Sequence, residues 1–223
     1  MSAAPQEKTA SITGKTPSWF PDWEGETIAV VASGPSAKKA GVDQLRGKTR
    51  VIAVNESWKL CPWADALYAC DGNWWKLHDG VKAFHGLKLS FDRDACNLYK
   101  DIQQILIPDI KYDQLRIDQP GSVGAGGNSG FQSLNLAVQF GGKRILLVGY
   151  DMRVDLGEHW HARHQMPLSN PHPFDNLPRW RKALDGAAKF LEEIGVEVIN
   201  CSLVSTLKAY PKMTIEEALR CHP

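Results

Sequence analysis

The sequence predicts an α/β fold in which a mostly parallel sheet is flanked by helices, and two features carry that prediction. Short apolar runs with β-branched residues recur at residues 28–32, 49–54, 63–70 and 143–148, with the length and composition of strands buried on both faces. Between them lie segments of helical spacing punctuated by Gly, Pro, Asn or Asp, the alternation of βαβ units with right-handed connections. The 223 residues suffice for one domain with a full core.

Taken in order, residues 1–16 mix Ser, Ala, Lys and Thr without periodicity and read as a flexible tail, and Pro17-Ser-Trp-Phe-Pro-Asp-Trp23 is aromatic enough to dock as a lead-in. The expected organisation is therefore a tail and lead-in over residues 1–24 and one domain over 25–223. The first strand stops at Ser33-Gly34-Pro35-Ser36, which turns the chain into a short helix running to Leu45, with Ser36 placed to cap it. The second strand ends at Asn55-Glu56-Ser57-Trp58 and the third at Asp71-Gly72-Asn73-Trp74-Trp75. Two further strands are expected at residues 87–91 and 104–107, with a short polar helix between them. A glycine-rich stretch, residues 120–130, leads into a helix whose apolar residues 131, 134 and 138 share a face and which Gly141-Gly142 ends. The strand that follows terminates at Gly149-Tyr150-Asp151. The histidine segment at 157–164 and the proline-rich 167–178 read as an irregular flap over the strand tips. An amphipathic helix over 179–194, a last strand over 196–199 ending in Asn200-Cys201-Ser202, and a terminal helix opened by the Thr214–Glu217 capping box complete the chain.

Bulk properties exclude several classes of function. Formal net charge is +1 without a polybasic block, so no extended nucleic-acid or membrane surface is expected. No apolar run approaches the ~20 residues that span a bilayer. The first 24 residues lack an apolar signal core, and a cytoplasmic location is the expectation. Five cysteines at irregular spacings, with no C-x-x-C pair, read as reduced thiols rather than a disulfide framework or zinc finger.

The candidate binding residues follow from the strand ends. In open α/β sheets ligands sit at the carboxyl ends of the strands, and here four runs end in Gly, Asn or Asp. Ser33, Gly34, Pro35 and Ser36 can offer backbone N–H groups and hydroxyls to an anion at a helix start. Asn55 and Asp71 mark the next two tips. Asn128, Ser129 and Gly130 stand where the glycine-rich stretch meets its helix, and Asn200 and Ser202 close the last strand. The same residues serve equally as turn and cap residues without a ligand. The glycine-rich stretch lacks the G-K-[ST] ending of a P-loop, which disfavours P-loop NTPase chemistry.

His159, His161 and His164 with Asp151 and Glu158 form the densest reactive constellation. An imidazole titrating near neutrality can take a proton from an acceptor hydroxyl. His-x-His with a third histidine and a carboxylate can also ligate a metal, and a hydrogen-bonded surface loop is the third reading. Catalysis by His161, His159 and Asp151, with no resident metal, is the expectation.

The strand–GPS turn, the Val54-Asn55 tip, Asn128-Ser129-Gly130 and Gly149-x-Asp151 resemble, in the same order, the motifs of bacterial sialyltransferase-like proteins. That group is related to motility-associated-factor glycosyltransferases and 6-hydroxymethylpterin pyrophosphokinases. The His-x-His segment and the late Asn-Cys-Ser are most similar to small phage and prophage proteins of this kind. The resemblance spans residues 27–219 and implies a Rossmann-like sheet that binds a nucleotide-activated donor. In the sialyltransferases the donor is CMP-sialic acid, contacted by the residues matching Asn55 and Asn128 to Gly130, and a histidine of the flap is the general base. This chain departs in carrying three candidate histidines and in being shorter, without the membrane-associating C-terminal extension.

The resulting expectation is a transferase with a nucleotide or nucleotide-sugar donor and an acceptor no motif specifies, most simply a glycosyltransferase with a histidine base. One alternative is a pyrophosphokinase-like transferase using Mg²⁺, for which Asp71, Asp151 and Glu158 would be the ligands. The other is a non-catalytic phage accessory protein that binds a nucleotide or a partner. No motif defines the oligomeric state.

Overall fold

The computed structural model describes residues 15–161 and 173–221, so the tail to residue 14 and residues 162–172 of the expected flap, His164 among them, lie outside the described residues. Seven strands form one sheet: β1 (Thr27–Val31), β2 (Arg50–Val54), β3 (Ala66–Tyr68), β4 (Leu87–Ser90), β5 (Ile102–Gln104), β6 (Arg144–Val148) and β7 (Glu197–Asn200). Every pairing is parallel, in the order β5-β4-β3-β2-β1-β6-β7. The fold is thus a Rossmann-like α/β sheet, and its strand order reverses between β1 and β6. Register puts Val31 opposite Val148 and Ala53, so the tips of β1, β2 and β6 end at one level.

Alternation along the strands divides the core. Ile28, Val30, Ile52, Val54, Ile145 and Leu147 face α3 (Ser129–Gln139) and α4 (Pro173–Glu193). Ala29, Val31, Val51, Ala53, Leu146 and Val148 face α1 (Gly72–Leu77), α2 (Arg93–Leu98) and α5 (Ile215–Arg220). The central strand β1 is buried over its whole length, as a parallel strand covered on both sides must be. The aromatic lead-in docks beneath this core: the Trp23 and Phe20 rings meet Phe140 edge-on at 5.0 and 4.9 Å.

Four local expectations require correction. The chain after the GPS turn forms two 3₁₀ turns, Pro35–Lys39 and Val42–Leu45, rather than an α-helix. Gly41, with φ 73°, breaks the segment before a second helical turn can form. Ser36 does not cap that segment; its N-cap is Gly34, with no side-chain bond. The strand expected at 104–107 lies at Ile102–Gln104, because its ladder partner β4 ends at Ser90. The helix expected from 179 begins at Pro173 and contains Pro178; as its sixth residue, Pro178 forgoes one i→i−4 hydrogen bond in the second turn. By contrast, the Thr214–Glu217 capping box is present in full.

Candidate functional site

A cavity of about 300 Å³ opens at the carboxyl ends of β1, β2, β3 and β6. This is the side and the switch point at which a parallel α/β sheet leaves room for a ligand, because the connections to its two halves diverge there. Its floor is formed by the tips themselves: Ala32, Ser33 and Gly34 after β1, Val54 and Asn55 at β2, Cys70 and Asp71 after β3, and Gly149 and Asp151 after β6. The segment Gly127-Asn128-Ser129-Gly130 supplies one wall at the start of α3, and Glu158 and His159 reach it from the flap.

Backbone conformation at these tips is specialised. Asn55 has φ 49°, left-handed space rarely used by residues other than glycine. At the β1–β6 junction Gly34 N–H donates to the Gly149 carbonyl at 2.9 Å. A Cβ on Gly34 would lie 2.4 Å from that carbonyl oxygen, and one on Gly149 would lie 2.4 Å from the Ala32 carbonyl oxygen. Glycine at both positions lets the two tips close onto each other.

Several expected site residues are engaged within the protein. Asp151 is 1 % exposed; its carboxylate accepts from Ser36 N–H at 2.8 Å and from the Ser36 hydroxyl. An internal carboxylate thus occupies the position at which the Ser36 groups were expected to meet a ligand anion, and neither Ser36 nor Pro35 lines the cavity. Asp71 caps α1 by accepting from Asn73 N–H at 2.8 Å. Asn128 caps α3: its Oδ1 accepts from Phe131 N–H at 2.9 Å while Nδ2 donates to the Gly126 carbonyl. The Ser129 hydroxyl donates to Cys70 Sγ at 3.1 Å. Burial pushes the Cys70 thiol up, against the opposing pull of that bond. Asn200 and Ser202 stand away from the cavity and brace β6: Asn200 Oδ1 accepts from Ser202 N–H, and Ser202 Oγ accepts from Tyr150 N–H, both at 2.9 Å.

The flap is anchored by Trp160, between the two histidines. Its N–H donates to the Ser33 carbonyl at 3.0 Å and its indole to Ser57 Oγ at 3.3 Å. Ser57 in turn donates to the Ala32 carbonyl at 2.9 Å. On either side the His159 and His161 rings stack at 5.1 Å and 7°. Of this pair, His159 lines the cavity and His161 does not. Among the described residues, no group of three or more His, Cys, Asp or Glu side chains is arranged to hold a metal ion.

Beneath Asn55 lies a charged cluster that sequence reasoning passed over. Glu56 is buried, and its carboxylate meets His78 Nε2 at 2.6 Å, Trp74 Nε1 at 3.1 Å and Lys59 Nζ at 2.5 Å. Burial pushes its pKa up, but hydrogen bonds from His78 and Lys59 outweigh it and hold Glu56 at about 2. Trp74, oriented by this carboxylate, is part of the cavity lining. Also unanticipated are Met152, Arg153, Val154, Leu177 and Trp180 on the side facing α4. A cue for Trp180 was present in the sequence: a tryptophan on the helix that follows the flap. Its direction, however, depends on where α4 begins.

No protein-family model matches the chain, and no curated protein matches it in sequence. Solved structures do match in fold. The sialyltransferase CstII from Campylobacter jejuni, in complex with cytidine-5'-monophosphate, superposes with a TM-score of 0.55 at 14% identity, covering 86% of each chain. The same enzyme with a trisaccharide acceptor and CMP gives a TM-score of 0.52 at 14% identity over 85% of this chain and 86% of that one. With CMP-3FNeuAc the values are 0.51 and 12%, over 85% and 86%. This chain is similar to that sialyltransferase in fold.

Proposed function

We propose that the protein is a glycosyltransferase that binds a nucleotide-activated sugar, with cytidine monophosphate as the nucleotide, in the cavity at the strand tips. The observation that carries this reading is the convergence of Asn55, Asn128, Ser129, Gly130 and His159 on one cavity at the point where the strand order reverses. The fold-level match to an enzyme solved with CMP and with CMP-3FNeuAc supports the choice of nucleotide. Asn55 and the start of α3 hold the nucleotide, and His159 faces the acceptor. In the reaction the acceptor hydroxyl oxygen forms a bond to the anomeric carbon and its proton passes to the His159 imidazole. The bond between the anomeric carbon and the phosphate oxygen breaks, and its electron pair leaves with the nucleotide.

Asp151 has a positioning role in this scheme, because its carboxylate is committed to Ser36. A base that acts only on the acceptor affects turnover more than donor binding. Replacing His159 with Ala should therefore lower release of CMP from CMP-sialic acid in the presence of an oligosaccharide acceptor by about 10²–10⁴-fold, with CMP affinity kept. Full turnover in His159→Ala would remove the assigned base, and the absence of CMP release by the wild type with every acceptor offered would remove the transferase reading.

A further inference from the structure

A nucleotide-activated donor carries a phosphate, yet the cavity that would receive it is lined by three carboxylates, Asp71, Asp151 and Glu158. Parallel α/β sheets commonly hold a phosphate on the N–H groups where the first strand turns into its helix. In this chain that turn is taken, because the Asp151 carboxylate accepts from Ser36 N–H and from its hydroxyl. A phosphate beside Asp151 therefore needs a positive partner from elsewhere. Among the described residues that line the cavity, Arg153 alone carries a permanent positive charge.

Arg153 leaves the backbone from a strained turn. It follows Met152, whose φ of 51° is a conformation that a non-glycine residue keeps only where its surroundings impose it. The Met152 carbonyl is held by Arg181, through Nε at 2.8 Å and Nη2 at 2.6 Å, and by the Thr206 hydroxyl at 2.7 Å. The helix α4 and the segment after β7 thus fix the chain just ahead of Arg153.

The guanidinium is engaged, but by partners that an anion can displace. Its Nη1 donates to the Val204 carbonyl at 3.1 Å, its Nε to Asp155 Oδ1 at 2.7 Å and its Nη2 to Asp155 Oδ2. Neither Asp155 nor Val204 lines the cavity, so this pairing holds the guanidinium at the cavity's edge. The hydrogen bonding to Asp155 raises the Arg153 pKa, and the charges of Asp155 and Asp151 add to it; the guanidinium lies within electrostatic reach of the cavity floor as well as of its partner. The Arg153 side chain is 31 % exposed and that of Asp155 59 %. An ion pair this open to water is weak, and the two-pronged fork that Asp155 occupies suits phosphate oxygens equally.

Resting on the reading of the cavity as a nucleotide site, we propose that Arg153 is the specificity-determining residue for the donor's phosphate: on binding, its guanidinium exchanges the Asp155 carboxylate for phosphate oxygens. Asp155 holds the fork until the anion arrives. Met152, Arg181 and Thr206 are positioning residues that set where the arginine starts.

The test is a comparison of cytidine with CMP by isothermal titration calorimetry, using wild type, Arg153→Ala, Arg153→Lys and Asp155→Asn. Wild type should bind CMP about 10–100-fold more tightly than cytidine, the order expected of hydrogen bonds to a charged partner. In Arg153→Ala the two ligands should bind within about threefold of each other, with cytidine affinity unchanged from wild type. Arg153→Lys, which keeps the charge without the fork, should fall between. Asp155→Asn, which removes the competing charge, should tighten CMP and leave cytidine unchanged. Equal affinity for both ligands in wild type, a CMP preference that survives in Arg153→Ala, or a loss shared equally by cytidine would overturn the assignment, and unaltered CMP affinity in Asp155→Asn would overturn the exchange. Thermal shift with inorganic pyrophosphate, which has no base, separates this failure from failure of the nucleotide reading. A pyrophosphate shift present in wild type and lost in Arg153→Ala would support the anion site even if neither CMP nor cytidine binds. A shift that persists in Arg153→Ala, or none in wild type with pyrophosphate or CMP, would overturn it.

Discussion

Replacing Gly34 with alanine tests the closure of the β1 and β6 tips, on which the geometry of the cavity floor depends. Gly34 has φ −59° and ψ 148°, a conformation open to any residue, so the backbone itself does not resist the change. The obstacle is steric: the new methyl would lie 2.4 Å from the Gly149 carbonyl oxygen and 2.8 Å from Asp151 Cγ. Relieving that contact means parting two backbones by about 1 Å. Overpacking of this kind costs about 1–3 kcal/mol. Weakening the Gly34–Gly149 bond and the Ser36–Asp151 pair adds about 1 kcal/mol. The lower entropy of the unfolded alanine chain returns about 0.4–1 kcal/mol. A net loss of about 1–3.5 kcal/mol follows, or roughly 2–14 °C in melting temperature for a domain of this size. Gly186 is the matched control: it lies inside α4 with nothing within 4 Å of an added Cβ. Gly186→Ala should gain about 0.8–1 kcal/mol of helix propensity. Scanning calorimetry of both variants decides the matter. A Gly34→Ala protein melting with the wild type, beside a stabilised Gly186→Ala, would refute the packing argument.

Two further perturbations probe the elements around the cavity. Glu56 titrates at an ordinary 4.5 when unfolded and at about 2 when folded, so the unfolded chain binds more protons between those values. Its contribution, about 3 kcal/mol, is complete above about pH 5 and fades as pH falls towards 2; urea unfolding from pH 3 to 6 should show a shallower acid slope in Glu56→Gln, and an unchanged slope would contradict the account. Asn128→Ala removes the α3 cap and should cost about 1 kcal/mol in urea unfolding, while also weakening CMP in titration calorimetry; unaltered CMP affinity would take the glycine-rich segment out of the site.

The central strands were legible because burial on both faces leaves a plain signature: β1, β2 and β6 are apolar after their first residue, and β1 is buried along its length. The start of α3 was legible for a similar reason, since Asn128 makes the cap its position implies. Edges were less so. Ile105 and Ile107 resemble strand residues, and Ile105 N–H does reach the Ser90 carbonyl, but β4 offers no further ladder beyond it. The beginning of α4 was hidden because Pro178 reads as a helix breaker; Trp180 fell inside the expected helix, but its spacing did not mark it as facing the cavity. At the site, side-chain type identified which residues stand at the tips but not their partners. Asp151 and Ser36 are 115 residues apart and satisfy each other. Glu56 reads as one more surface carboxylate until the fold closes Trp74, His78 and Lys59 around it. Long-range pairings of this kind have no local periodicity from which to be read.

The central claim, that the cavity at the strand tips binds a cytidine nucleotide, is tested most directly by thermal shift with CMP, CDP, UDP, GDP, AMP and ATP, each with and without Mg²⁺. A ligand specific to the folded state at 100 times its dissociation constant adds about 2.7 kcal/mol, which for this size is roughly 5–10 °C. The account predicts that CMP gives a shift of that order whether or not Mg²⁺ is present, and that the purine nucleotides and UDP give less. No shift with CMP at millimolar concentration, or a response confined to ATP and Mg²⁺, would contradict it.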